Sequence, residues 1–169
     1  MVIVIPKYIE CKFVSSVPMT HGEFYAKTAY PIEFRRGKPS APGYMITYPD
    51  MHMEWIPKEA FESSHFPIEH EDENIPPKIQ ESDVDKFIKS YEIYKVGDKT
   101  TVAVATLING FIITESSSCV SPDNYDEELG ASICKRKIRD KVWFLLGFLL
   151  QSSLNGFNGS VYNDRGRGR

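Results

Sequence analysis

The sequence predicts an α+β fold: a small antiparallel β meander packed by a long C-terminal helix, preceded by an N-terminal β-hairpin and short helices. Three observations predict it. Residues 102–108 alternate β-branched with mostly small side chains, and with the β-forming run at 111–116 they flank Asn109-Gly110, a pair suited to a type I′ turn because both residues tolerate positive φ. Residues 121–154 begin with Ser121-Pro122, place acids before bases and repeat apolar residues at helical spacing, as one long amphipathic helix would. Residues 43–48 and 51–56 are β-forming runs separated by Pro49-Asp50, a hairpin pattern without a strong type I′ pair.

Taken in order, residues 1–5 form an apolar run that Pro6 ends. The run has no basic leader and is too short for a signal-peptide core or a bilayer span, so a buried or edge strand is expected. Residues 7–14 are β-forming with imperfect alternation. Pro18-Met19-Thr20 opens a short helix, with Thr20 as N-cap and Glu23 at the reciprocal position of a capping box; Phe24 and Tyr25 anchor it. Residues 31–43, rich in Pro and Gly among basic residues, read as a surface loop. After the hairpin, Pro57 is placed at the first position of a short helix to about residue 64, with Ala60 and Phe61 facing the hairpin.

Residues 67–80 are acidic, prolyl and poorly patterned. The chain therefore divides into an N-terminal module at 1–66, a connector at 67–80, a second module at 81–154 and a flexible tail at 155–169, expected to pack as one compact unit. Ser82, with Asp85 three residues on, suggests a cap; Val84, Phe87, Ile88 and Tyr91 suggest a helix docking on strands at about 92–96, 99–108 and 111–116. On the middle strand Val102, Val104, Thr106 and Ile108 share one face. Ala103, Ala105 and Leu107 share the other, and their small size predicts close packing by a helix. In the long helix, Leu129, Ile133, Ile138, Val142, Leu145 and Leu149 form the apolar stripe, widened by Trp143, Leu146 and Leu150; Gly130 and Gly147 permit close backbone approach. Asn155-Gly156 ends it.

A chain of 169 residues with 41% hydrophobic and 25% charged residues has room for one ordinary core or two very small ones. Its net charge of -3 argues against non-specific binding to a phosphate backbone. Cys11, Cys119 and Cys134 are three in number with no Cys-x-x-Cys spacing, which favours thiols over a structural disulfide in an intracellular protein.

Motifs of chemistry are sparse. No glycine-rich phosphate loop follows a strand, and His21, His52, His65 and His70 make no His-Glu-x-x-His site. His65 and His70 are five apart and read as solvated loop residues before metal ligands. Cys119, at a strand exit before a capped helix, has the setting of a nucleophile, yet no His follows His70, and a core thiol is the plainer reading. Ser116, Ser118 and Ser121 with early helix N–H groups would donate to a phosphate, opposed by Asp123 and Asp126. Tyr44, Tyr48, Trp55 and Phe61 are cross-strand packing or, with Arg35, Arg36 or Lys38, a stacking pocket for a base. Lys135, Arg136, Lys137, Arg139 and Lys141 crowd one part of the long helix, either as a solvated side or as a surface for an acidic partner.

Residues 101–150 are similar to the bacteriophage protein family represented by phage N4 Gp49 and the Sf6 gene 66 product. The resemblance lies in Leu107-Ile108-Asn109-Gly110-Phe111, Ser118-Cys119-Val120, Asn124-Tyr125-Asp126 and Trp143 followed by Gly147-Phe148-Leu149-Leu150. Pro18-Met19-Thr20, Gly43-Tyr44, Tyr48-Pro49-Asp50 and Trp55-Ile56-Pro57-Lys58-Glu59 resemble a module common in small phage proteins, where a Ser stands in place of Ile56. The resemblance implies phage origin and an accessory role, and no catalytic residues. The expected protein is non-enzymatic, acts in the host cytoplasm, and binds a host protein or its own copy through Lys135, Arg136, Arg139, Trp143 and Phe148, with modulation of bacterial defence as a role. The alternative is a nucleotide-sequestering protein using Arg35, Arg36, Tyr44, Tyr48, Trp55, Ser118 and Ser121. A Cys119-dependent enzyme ranks third and direct nucleic-acid binding lower. No cofactor, metal or membrane association is expected.

Overall fold

A computed structural model describes residues 7–28, 37–68 and 76–157. The expectations for residues 1–5, 31–36, 69–75 and 158–169, including Arg35, Arg36 and His70, lie outside the described residues. The chain divides into two compact units, Met1–Pro67 with Gln151–Arg169, and Ile68–Leu150. Each contains a three-stranded antiparallel sheet, so the α+β class holds, with short helices and one long C-terminal helix.

In the first unit the order is β1 (Ser15–Thr20), α1 (His21–Thr28), β2 (Pro42–Thr47), β3 (Met53–Pro57) and α2 (Lys58–Ser64). The expected hairpin is present, but β1 lines its second edge, pairing Val17 with Met45 and Met19 with Gly43. The β-forming stretch at 7–14 contains no strand; pairing begins at Ser15. Partnership with β2 outweighs the weak local propensity of Ser15-Ser16-Val17-Pro18. The capping box forms: Thr20 donates its N–H (2.7 Å) and hydroxyl (2.8 Å) to Glu23, whose own N–H reaches Thr20 Oγ1 at 3.3 Å. Those bonds hold the Glu23 carboxyl below the usual carboxylate range. Pro57 ends β3 and is itself the N-cap of α2, so the helix starts at Lys58, one residue later than expected, with no side-chain cap. Phe61 does face the hairpin, stacking on Tyr44 at 4.4 Å, whereas Ala60 is exposed.

The second unit runs α3 (Glu81–Phe87), β4 (Ile88–Val96), β5 (Thr100–Leu107), β6 (Ile112–Ser118), a 3-10 turn (Pro122–Asn124) and α4 (Glu127–Asn155), whose residues from Gln151 count with the first unit. Gln80 rather than Ser82 caps α3, with Asp83 completing the box. Ile88 and Tyr91, read as helical, lie in β4, opposite Leu107 and Ala105, with a bulge between Ile88 and Ser90. Ladder bonds to β5 outweigh the coincidence of helical spacing. Ser121 accepts from Asp123 N–H and caps only the 3-10 turn. The long helix starts later, where Asp126 Oδ1 accepts from Leu129 N–H at 2.9 Å. At its other end Gly156, with φ of 62°, follows the last helical residue, as a C-terminal glycine should.

The Asn109-Gly110 turn differs in type. Gly110 has φ of 83°, but among the described residues Met51 is the one non-glycine with positive φ, so Asn109 does not make the type I′ pair. Instead Gly110 N–H bonds Leu107 O, and Leu107 N–H bonds Phe111 O. This is a three-residue loop closed by a left-handed third residue, the bulged alternative to a two-residue hairpin.

The core of the second unit follows the middle strand. Thr101, Ala103, Ala105 and Leu107 are almost completely buried, and from α4 Gly130, Cys134, Ile138, Val142, Leu146 and Leu150 are buried at every fourth position. Small residues on both sides permit close approach. A Cβ at Gly130 would stand 2.8 Å from that of Thr101, and Cys134 Sγ lies 3.5 Å from the Thr101 carbonyl. Leu129 and Leu149, expected in the buried stripe, are 58% and 44% exposed. The seam advances by four residues at a step and leaves both outside it.

Candidate functional site

The basic residues of α4 do local work. Arg139 pairs with Asp85 of α3, and Lys141 with Glu115 of β6. Lys137 Nζ donates to Ser116 O at 2.8 Å, and Lys135 lies over the Tyr91 ring at 5.5 Å. Lys135 and Arg139 thus grip the α3–β4 flank of the buried seam, while Lys137 and Lys141 grip β6. The spacing of four on each flank is the signal in the sequence that would have shown this. Lys141 also holds the Glu115 carboxyl below its ordinary value, chiefly by their hydrogen bond. Arg136 is exposed and, among the described residues, forms no ion pair.

Where α4 meets β6, a group of apolar side chains is presented outward. Phe111, Ile112, Ile113, Thr114, Lys141, Phe144 and Leu145 line an open groove of about 340 Å³. Phe144 is 74% exposed, and Phe111 and Ile112 are exposed beside it. Trp143 and Phe148, both named from sequence, are also exposed on the helix. Single exposed apolar residues are ordinary; a contiguous group of large ones is characteristic of interaction surfaces.

The residues suggested for a nucleotide do not form one cluster within either unit. Tyr44, Tyr48 and Trp55 lie in the first unit, Ser118 and Ser121 in the second. Strand alternation puts Tyr44 and Tyr48 on one sheet face, while Trp55, opposite Met45, takes the other. Tyr44 stacks on Phe61, which stacks on His65 at 4.1 Å, and its hydroxyl donates to Glu62 at 2.8 Å. Tyr48 donates to Glu54, and this bond first, then burial and nearby carboxylates, pushes its pKa up to about 12. Trp55 Nε1 donates to Met19 O at 3.1 Å. Ser118 Oγ pairs with Thr100 Oγ1 at 2.9 Å. The Cys119 thiol donates to Ser121 O at 3.0 Å and faces Lys99 O at 3.5 Å. Each group has a structural partner.

Among the buried polar residues that the sequence did not reveal are His21 and Asp83. His21 is 7% exposed, its ring 4.6 Å from that of Tyr25 and 4.5 Å from that of Trp55. Gly37 closes a third side, where a Cβ would meet His21 Cε1 at 3.1 Å. Asp83 is fully buried; one oxygen accepts from Gln80 N–H at 2.8 Å and, among the described residues, Oδ1 has no partner. Its reciprocal position in a cap was the available signal, obscured by taking Ser82 as the cap. Among the described residues no group of three or more His, Cys, Asp or Glu could hold a metal, and no helix is long and apolar enough to cross a membrane. The three cysteines are free thiols.

The fold and its surface define a small α+β protein with an outward apolar shelf. Residues 79–154 match the model of the phage protein family described by N4 Gp49 and phage Sf6 gene 66. The match spans α3, the second sheet and nearly all of α4, and it associates the chain with phage proteins. Neither a curated protein nor a solved structure gives a match.

Proposed function

We propose that the chain is a non-enzymatic phage accessory protein that works by protein–protein contact in the host cytoplasm, engaging a host protein or its own copy to modulate bacterial defence. The observation that supports this is the outward shelf of Phe111, Ile112 and Phe144, exposed while the nearby polar groups Lys137, Lys141, Ser118 and Cys119 are engaged inside the unit. An aromatic shelf of this kind gains binding free energy on desolvation. The family match to phage proteins supports the setting.

The test is capture from infected-cell lysate with the purified chain, followed by native mass spectrometry, beside a Phe144→Asp variant. Retention of a defined protein by the wild type and its loss from the variant is the expected result. Equal retention by both, or a small molecule held by the wild type in place of a protein, overturns the reading; the latter outcome would favour nucleotide sequestration.

A further inference from the structure

The side of α4 turned away from the sheet carries a second periodicity. Leu129, Ile133, Arg136, Asp140, Trp143 and Gly147 are spaced alternately by four and three residues, the repeat that keeps a seam on one face of a helix pair. The buried contacts with the sheet use a different set, spaced by four throughout. Leu129 is 58% and Trp143 42% exposed; Arg136 and Asp140 are exposed and, among the described residues, form no ion pair. At Gly147 an added Cβ would meet nothing within 4 Å, unlike Gly130, which Thr101 fills. Among the described residues nothing therefore accounts for the second glycine, which lowers helix propensity by about 1 kcal/mol relative to alanine.

We infer that this face pairs with the same face of a second copy, the two α4 helices antiparallel about a two-fold axis level with position 138. The inference deepens the self-association reading above and rests on it. Charge complementarity selects the orientation. In a parallel pair Arg136 would meet Arg136 and Asp140 would meet Asp140; in the antiparallel pair each Arg136 faces the other copy's Asp140. The same register sets Ile133 against Trp143 and drops Leu129 into the notch at Gly147, every pair equally spaced about position 138. Alternating core positions of the repeat thus face one another, as antiparallel pairing requires, and the central charged layer specifies register as polar layers do in coiled coils.

The experiment is sedimentation equilibrium of the full chain, with circular dichroism to confirm folding, for the wild type, Arg136→Asp, Asp140→Arg and the double exchange. A concentration-dependent wild-type dimer is expected, weakened roughly tenfold or more by either reversal and restored to within about threefold by the two together. A dimer whose affinity ignores both reversals overturns the register while leaving self-association standing. A wild type that stays monomeric overturns pairing altogether, and the Phe144→Asp capture then decides separately whether a host protein is the partner.

Discussion

The two sheets share one plan, three antiparallel strands in chain order, yet are closed by different means. The first is closed by plates: Tyr44, Phe61 and His65 stack in series, while His21 packs against Tyr25 and Trp55. The second is closed by removing bulk. Thr101 lies against Gly130 and Cys134, Ala103 and Ala105 are buried on the same face of the strand, and charged side chains clip the helix along both flanks. Aromatic plates tolerate offset and keep polar edges; a seam of small residues brings a helix close, but leaves no room for an added methyl.

Deleting the largest fully buried side chain that α4 puts into that seam should cost most. Ile138→Ala is expected to destabilise the protein by about 2–5 kcal/mol, read as a lower midpoint in urea; a cost under about 1 kcal/mol would mean α4 is not pinned as described. The two helix glycines sharpen the contrast next. Gly130→Ala should cost about 1–3 kcal/mol by overpacking against Thr101, while Gly147→Ala, measured at dilution where the chain is monomeric, should be neutral or gain up to about 1 kcal/mol. Equal effects at both positions would refute the difference in packing.

The hairpin loops offer a smaller, reciprocal test. Met51 has φ of 70° where Gly110 has 83°. In each loop the N–H of that residue bonds back to the residue three earlier, Tyr48 or Leu107. Met51→Gly should therefore stabilise, and Gly110→Ala destabilise, each by about 1 kcal/mol; thermal melts with the same sign at both sites would contradict the shared loop geometry. The smallest effect at neutral pH concerns Tyr48. Its folded pKa of about 12 exceeds the ordinary value of 10.0, so its contribution is intact below pH 10 and is lost as pH rises toward 12. Tyr48→Phe should flatten that alkaline decline, and ultraviolet titration should show the wild-type phenol ionising late.

Features resting on a few neighbouring residues were legible in the chain alone: the Thr20–Glu23 capping box, the hairpin around Pro49-Asp50, the small face of β5 and the stop at Asn155-Gly156. The apolar character of α4 was equally plain, because composition and helical spacing are properties of the segment. Features that depend on a partner distant in sequence were not. The pairing of β1 with β2 rests on Ser15-Ser16-Val17-Pro18, whose local preferences are weak. The early end of α3 follows from β5 ladder bonds, and the left-handed Met51 from strand closure around it. Lys135, Lys137, Arg139 and Lys141 read as a free basic surface until β4, β6 and α3 stand beside them. Local free energies are written within one turn of the chain, whereas the choice among alternatives differing by about 1 kcal/mol is made by whichever distant surface offers contact. That is why the helix was foreseeable and its clasp was not.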